Sequence, residues 1–423
     1  MNVKIKNGTI SGTIYAPSSK SYTQRYVLYS AFSNKPVKIK NVSFSEDEMV
    51  SLKIAESCNA TINYNRKDIE IKPDFKCPDS IYVGESGTSY RLSIGLLVAR
   101  KCKTTIKGEQ QLAGRPVEPL IKALSDAGTN FKKHKDGFYM VDGRNSASTG
   151  VSIDGGTSSQ FVSAMLYYYS ILGEGNFTVS NMVSANYVNI TINCLRNFGI
   201  TVHNNGNNYS IENGDYAVKE IGIEGDYSSA SYFIVLGIFT GNIKIKNLGI
   251  DSLQPDRQII ELLNNATECI KIGGNELTVD KANFIKGIIV DASATPDIAP
   301  VISVIGIFST EGVKIYNYQR LKTKESDRWK GIIEMCRAFG ATVSVCENFI
   351  EIKKGILKDP ESIKFTDHRM IMSAIIAGVI AGSHTEFKNA EKINKSYPEF
   401  LVDLKRLGLE IYSDLNLSGD AVI

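Results

Sequence analysis

The chain has 423 residues, 43% of them hydrophobic and 22% charged, with 48 Lys and Arg against 45 Asp and Glu. That length allows two or three domains with substantial cores, and the apolar content excludes a disordered chain. A net charge of +3 excludes the concentrated basic surface that nucleic-acid binding needs. The opening stretch, MNVKIKNGTISGTIYAPSSK, has no apolar core of secretory length, and the longest apolar runs, 233–239 and 371–381, fall well short of the ~20 residues that cross a bilayer. A soluble protein is expected. The seven cysteines (Cys58, Cys77, Cys102, Cys194, Cys269, Cys336 and Cys346) are scattered and include no C-x-x-C pair, so free buried thiols in a reducing compartment are expected. The four histidines form no metal-ligand pattern, and no metal or cofactor is expected.

Along the chain, small or polar residues open an apolar run of helical length six times, at Ser21, Gly87, Ser158, Tyr227, Asp297 and Asp367, spaced 66 to 71 residues apart. After each run comes a short alternating strand. These are Val37-Lys-Ile-Lys-Asn41, Thr105-Ile-Lys-Gly108, Phe177-Thr-Val-Ser-Asn181, Ile243-Lys-Ile-Lys-Asn247, Val313-Lys-Ile-Tyr-Asn317 and Thr385-Glu-Phe-Lys-Asn389. A second, amphipathic helix follows and closes on a glycine at Gly128, Gly199, Gly340 and Gly408, with weaker copies ending near Thr61 and Thr267. Paired strands lead to the next unit. The plan is helix–strand–helix–strands repeated six times at about 70 residues, an α/β architecture with a boundary after three repeats near Glu224-Gly225.

The apolar helices, 161–172 and 298–308 among them, are hydrophobic on nearly every face, which implies complete burial. Ser228, Ser229 and Thr366 read as simple N-caps. Capping does not explain Lys20, Arg25, Arg91 and Arg369. A cation in the first turn lies against the helix dipole and needs a compensating anion. Helix starts rich in hydroxyls, amides and cations form an anion-binding arrangement. If the helices run parallel within two three-repeat domains, their starts face one cleft, suited to ligands that bear several phosphates and carboxylates. Gly114-Arg115-Pro116 and Lys322-Thr-Lys-Glu-Ser-Asp-Arg328 add cations, although the second, like Asn394-Lys-Ser-Tyr-Pro398, reads on composition alone as a solvated turn.

Eight segments in order carry a resemblance. They are Pro17-Ser-Ser-Lys-Ser-Tyr-Thr-Gln-Arg25, Ser86-Gly-Thr-Ser-Tyr-Arg91, Gly114-Arg-Pro116, Ser158-Ser-Gln160, Gly225-Asp-Tyr-Ser-Ser-Ala230, Lys324-Glu-Ser-Asp-Arg328, Asp367-His-Arg369 and Lys395-Ser-Tyr-Pro398. From Ser11 to about Leu407 the chain resembles the 5-enolpyruvylshikimate-3-phosphate synthase family of enolpyruvyl transferases (3-phosphoshikimate 1-carboxyvinyltransferases). The resemblance implies a two-domain inside-out α/β barrel of βαβαββ-type repeats with buried parallel helices. It puts residues 14–225 in one domain, residues 1–13 with 226–423 in the other, and the active site in the cleft between them.

It further implies transfer of the enolpyruvyl group of phosphoenolpyruvate to the 5-hydroxyl of shikimate 3-phosphate, a step toward chorismate and the aromatic amino acids, by a cytoplasmic monomer. Matched residue by residue, shikimate 3-phosphate would be held by Lys20, Ser21, Arg25, Ser158, Ser159, Gln160, Ser184, Tyr187, Asp297 and Lys324. Phosphoenolpyruvate would be held by Lys20, Gly87, Arg115, Gln160, Arg328, Arg369 and Lys395. Asp297 matches the family's base for the 5-hydroxyl, Glu325 the carboxylate near C3 of phosphoenolpyruvate, and Lys20 a proton carrier.

Three departures from the family stand out: Glu85 where Asn is common, Arg320 where some members have Asn, and Ala16-Pro-Ser-Ser-Lys20 in place of the more usual Pro-Gly-(Ser/Asp)-Lys. The sister transferase acting on UDP-N-acetylglucosamine normally carries a cysteine before the Arg-Pro pair, and here 108–115 is Gly-Glu-Gln-Gln-Leu-Ala-Gly-Arg. A non-catalytic anion-binding homologue would be expected to lose the carboxylates, yet Asp297 and Glu325 are both present.

Overall fold

Strand pairing repeats one plan through the molecule. The structure, a computed structural model, describes residues 1–414 apart from 7, 34, 148, 149 and 215–218. Among the described residues there are six four-stranded sheets. In the second, third, fifth and sixth repeats the strand ahead of the apolar helix lies parallel to the strand after it, as Ser80–Tyr82 does to Lys103–Lys107. The first and fourth repeats exchange this strand. Gly12–Tyr15, ahead of the first helix, pairs with Ile243–Lys246, which follows the fourth. Glu220–Gly222, ahead of the fourth helix, pairs with Val37–Lys40, which follows the first. Asn2–Lys6 fills the sixth sheet, antiparallel to Glu386–Lys388 and Glu410–Ser413. The chain divides accordingly into an N-terminal unit, Ser18–Ile223, and a C-terminal unit, Met1–Pro17 with Glu224–Ile423. Residues 14–17 stay with the C-terminal unit because the pairing of Gly12–Tyr15 runs through Tyr15↔Lys246.

The asparagine that ends five of the repeat strands has a specific task. Asn41, Asn181, Asn247, Asn317 and Asn389 all adopt positive φ, between 51° and 70°, a conformation Asn tolerates better than other side-chain-bearing residues. There the chain turns off the sheet while the side-chain amide reaches back to the end of the parallel neighbour. Asn41 Nδ2 donates to the Ile223 carbonyl at 2.8 Å, Asn247 to Ala16 at 3.1 Å and Asn389 to Phe365 at 3.0 Å. Asn181 and Asn317 donate to Asp154 and Asp291 at 3.3 and 2.9 Å.

Each unit has its own hydrophobic core built around three helices. In the N-terminal unit these are α1 (Lys20–Phe32), α2 (Gly87–Ala99) and α3 (Ser159–Leu172). In the C-terminal unit they are α4 (Tyr227–Thr240), α5 (Ala299–Phe308) and α6 (His368–Ala381). All but two residues of α1, and all but the last of α5, are buried, which matches their lack of a polar face. Gly95 lets α2 and α3 pack closely: a Cβ there would lie 2.3 Å from the Ala164 carbonyl oxygen. The glycines closing the second helices, Gly128, Gly199, Gly340 and Gly408, all have positive φ. Among the described residues no helix is long and apolar enough to cross a membrane.

Three of the expected caps are corrected. Ser228, Ser229 and Thr366 do not cap their helices. Asp226 and Asp367 do, accepting from the Ser229 and Arg369 amides at 2.7 and 2.8 Å. A carboxylate at that position also complements the helix dipole, which a hydroxyl does not.

The cysteine expectation is also corrected, because Cys77 and Cys102 form a disulfide with Cα atoms 5.3 Å apart. The register explains it. Ser80 pairs with Thr105, an offset of 25 residues, and stepping both strands back by three brings Cys77 opposite Cys102. In the sixth repeat the neighbouring position is occupied by a hydrogen bond between His384 Nδ1 and Asp359 Oδ2 at 2.9 Å. A crosslink closing a loop of 25 residues restricts the unfolded chain by about 3 kcal/mol. Reductant should therefore lower the denaturant midpoint of the wild-type protein and leave that of Cys77→Ser unmoved. Equal shifts in both proteins would show that the bond contributes nothing.

Candidate active site

The first turns of α1, α2 and α3 meet at one end of the N-terminal unit. Gln24 Nε2 reaches Ser86 Oγ at 2.7 Å, Ser89 Oγ at 3.0 Å and the Asp47 carbonyl at 3.1 Å. Arg91 Nη1 donates to Gln160 Oε1 at 2.6 Å, and Gln160 Nε2 donates to Thr88 Oγ1 at 2.9 Å. These bonds cross between helix starts, so the three helices begin at the same end. Lys20 is the first residue of α1, and its Nζ lies 2.8 Å from Asp47 Oδ2. The guanidinium of Arg115 packs over Gly87, where a Cβ would come 2.8 Å from Nη1. Ser158 caps α3, accepting from the Gln160 amide at 3.3 Å, with Ser159 buried beside it. Ser184 stands at the N-cap position of Ala185–Asn197 with φ of 49°, and Tyr187 in that helix's first turn packs half-buried on the core. Glu85 is half-buried directly ahead of Ser86.

Arg25 is placed differently from its fellows. It is 2% exposed, and its Nε donates to Thr191 Oγ1 at 2.8 Å while Nη1 returns to the Ser21 carbonyl at 2.9 Å. It therefore ties α1 to Ala185–Asn197. Arg91 is likewise satisfied by the Pro116 carbonyl and lies 5.3 Å above the Phe161 ring. The acceptors named at both positions are neutral groups of the protein itself, which satisfy donors without supplying an anion.

The C-terminal unit gathers the denser charge. Arg328, 1% exposed at the start of the helix Arg328–Ala338, directs its three guanidinium nitrogens at three carboxylates. Nε bonds Asp367 Oδ2 at 2.8 Å, Nη1 bonds Asp297 Oδ1 at 2.7 Å and Nη2 bonds Glu325 Oε2 at 2.5 Å. Arg369 Nη2 takes the other oxygen of Asp297 at 3.1 Å, and Lys324 Nζ stands 3.7 Å from the first. Lys395, 5% exposed, ends the short helical turn Ala390–Lys395. The segment that reads on composition as a solvated turn is in fact folded. Tyr318–Thr323 forms a 3₁₀ turn with half-buried Arg320 in it, and the segment ends in a buried arginine. Within this unit Asp297, Lys324, Glu325, Arg328 and Arg369 come together.

Electrostatics follow from this packing. Burial pushes the Asp297 carboxyl up, but Arg369, Lys324 and Arg328 outweigh it and hold the group well below the usual carboxylate range. Burial brings the Lys324 ammonium down to about 8, against the pull of Asp297. Asp367 and its two companion carboxylates, overcoming burial, raise Arg328.

Asp256, fully buried and bonded by the Ser228 hydroxyl, is pushed up to about 6 by burial and then by Asp297. Its folded value exceeds the unfolded one, so its contribution to stability is complete below about pH 4 and lost as pH rises through 6. Asp256→Asn should therefore unfold like wild type at pH 4 and be the more stable protein at pH 7.5. A wild-type advantage at the higher pH would refute this.

Four residues of these clusters are absent from the sequence-derived set. They are Asp47 against Lys20, Gln24 bridging three helix starts, Asp367 bridging Arg328 and Arg369, and Asp256. Each carboxylate among them sits in a first turn, at an N-cap or in a short turn, where acidic residues are ordinary. Among the described residues no group of three or more His, Cys, Asp or Glu converges as a metal site.

Buried helices whose starts collect cations, amides and acids, repeated three times per unit, form the architecture of the enolpyruvyl transferases. The solved enolpyruvyl transferase NikO from Streptomyces tendae aligns over 97% of this chain and 98% of its own, with a TM-score of 0.77 at 15% identity. The EPSP synthase of Acinetobacter baumannii aligns over 97% and 100%, with a TM-score of 0.79 at 23% identity. A profile of the EPSP synthase (3-phosphoshikimate 1-carboxyvinyltransferase) family matches residues 5–404. The 3-phosphoshikimate 1-carboxyvinyltransferase of Picrophilus torridus is 50% identical over 412 residues, covering 97% of this chain and all of its own. The chain belongs to the EPSP synthase family.

Proposed function

We propose that the protein joins phosphoenolpyruvate to shikimate 3-phosphate. The 5-hydroxyl gives its proton to Asp297, from which it later passes to the departing phosphate, as its oxygen bonds to C2 of phosphoenolpyruvate and C3 gains a proton from Glu325. The C2–O bond to phosphate then breaks, phosphate leaves, and C3 gives its proton back, which restores the double bond. Atoms and electrons balance without an oxidant or reductant. The observation that supports this reading is the arginine with a carboxylate at each nitrogen: Asp297 and Glu325, to which the two proton transfers are assigned, share a single buried cation.

Lys20, Ser21, Arg25, Ser158, Ser159, Gln160, Ser184, Tyr187, Asp297 and Lys324 are assigned to shikimate 3-phosphate. Gly87, Arg115, Gln160, Arg328, Arg369 and Lys395, with Lys20, are assigned to phosphoenolpyruvate. Asp297, with its carboxyl held so low, is a weak base while Arg369 and Lys324 attend it. Substrate anions that draw those two cations away raise its proton affinity, so binding itself arms the base. Lys20, paired with Asp47, relays a proton or neutralises charge. Both substrates are phosphate esters that cannot cross a bilayer unaided, which supports a cytoplasmic enzyme, and a monomer is the family's expectation.

The test is phosphate release from phosphoenolpyruvate with either shikimate 3-phosphate or UDP-N-acetylglucosamine as acceptor. Release with the first alone supports the reading. Release with the second alone transfers the protein to the sister activity, and release with neither makes it a binding protein.

A further inference from the structure

The segment that carries Lys324 and Glu325 is closed into a loop by aromatic side chains at its two ends. Tyr318 opens the 3₁₀ turn Tyr318–Thr323, and Trp329 lies in the first turn of the helix Arg328–Ala338. Their rings stack with centroids 5.3 Å apart and planes 16° from parallel. The Lys322 ammonium covers both, 4.8 Å from the indole centroid and 5.6 Å from the phenol. Tyr318 OH donates to the Glu347 carbonyl at 3.0 Å, which fastens the stack to the turn between Thr342–Val345 and Phe349–Lys353. The buried indole nitrogen of Trp329 has no hydrogen-bond partner among the described residues, so packing and the cation, not a polar anchor, hold the ring.

We propose that Trp329, stacked on Tyr318 beneath Lys322, is a positioning residue for Glu325 and Lys324. The inference rests on the proposed reaction, in which those two side chains serve the proton transfers and the phosphate. The residues from 319 to 327 span a loop with Leu321 as its buried anchor. Fixing the two ends together removes most of the freedom the loop would otherwise have. Glu325 Oε2 then meets Arg328 at 2.5 Å and Lys324 Nζ stays beside Asp297, while Ser326 Oγ between the loop and the helix donates to Asp367 Oδ2 at 3.2 Å. A displacement of about 1 Å at such a site lowers the rate about 100-fold.

Trp329→Leu removes the ring, Trp329→Phe keeps a smaller one, and Lys322→Met removes the covering cation from an exposed position. Turnover and hydrogen exchange of the amides 319–327 are read together on the full chain. The expected result for Trp329→Leu is a kcat at least tenfold below wild type, with exchange at least tenfold faster in 319–327 and unchanged in α5 and α6. Trp329→Phe should restore both readouts to within about threefold, and Lys322→Met should shift both in the same direction by less. Wild-type exchange and wild-type kcat in Trp329→Leu would overturn the proposal, and so would faster exchange spread evenly over the C-terminal unit. If Trp329→Leu does not fold, Lys322→Met alone decides: unchanged exchange there overturns the proposal. A wild-type protein that releases no phosphate would refute the reaction, while the exchange data would still decide whether the stack fixes the loop.

Discussion

Arg328→Met should be the most damaging single substitution in the C-terminal unit, lowering stability by about 3–5 kcal/mol at pH 8, the usual cost of removing one partner from a buried ion pair. The guanidinium is 1% exposed and is shared by Asp367, itself 2% exposed, with Asp297 and Glu325. Methionine fills the stem's volume and leaves three carboxylates without their common cation. The pH dependence identifies the mechanism. In the wild type, Asp297 has a depressed value, so its contribution is present above the ordinary carboxylate range and lost as pH falls. Removing the arginine takes away one of the cations that hold Asp297 low, so the variant gains on the wild type as the pH drops. The gap measured by denaturant unfolding should therefore be smaller at pH 5 than at pH 8. An equal gap at both would assign the damage to packing. Arg328→Lys should recover only part of the loss, because an ammonium cannot present three directed donors at the spacing of a guanidinium.

The sequence exposes one half of such a cluster better than the other, and the reason is physical. Lys20, Arg25, Arg91 and Arg369 are conspicuous because a cation in a first turn opposes the helix dipole, so each signals a nearby partner. Asp47 and Asp367 are inconspicuous because acids in first turns and at N-caps satisfy the dipole already. Nothing local separates a capping aspartate from one that also holds Arg328 at 2.8 Å. The repeats are legible for a similar reason. Burial on every face leaves α5 no polar residue but Ser303, and that pattern survives without knowledge of its neighbours.

Contacts set by register are not legible. The Cys77–Cys102 bond follows from the parallel pairing Ser80↔Thr105, which spacing alone does not reveal. The tyrosine-to-indole stack across the Lys324 loop is hidden in the same way, since Trp329 shares the apolar face of its helix with Ile332, Ile333 and Cys336 and reads there only as core. Arg25 has a second role that its sequence position does not announce, since two of its donors are committed to Thr191 and to its own helix.

Glu325→Gln should separate binding from chemistry. The glutamate bonds Arg328 through Oε2, and glutamine keeps a carbonyl oxygen of the same reach, so Arg328 stays in place and retains Asp297 and Asp367. Shikimate 3-phosphate, assigned to residues of the other unit apart from Asp297 and Lys324, should bind within about threefold of wild type. The amide cannot carry a proton to or from C3 of phosphoenolpyruvate, and loss of a general acid–base group lowers turnover by about 10²–10⁴-fold. In deuterated buffer the wild type should place deuterium on C3 whenever the adduct returns to substrates, and Glu325→Gln should do so at a rate reduced in proportion to turnover. Arg25→Ala provides the contrast. Its first effect should be weaker binding of shikimate 3-phosphate, together with some loss of stability from the broken Thr191 bond, while the rate at saturation changes less. Single-turnover phosphate release with both substrates saturating distinguishes the two variants. Wild-type turnover in Glu325→Gln would remove this carboxylate from the proton transfers and leave Lys20 as the candidate acid.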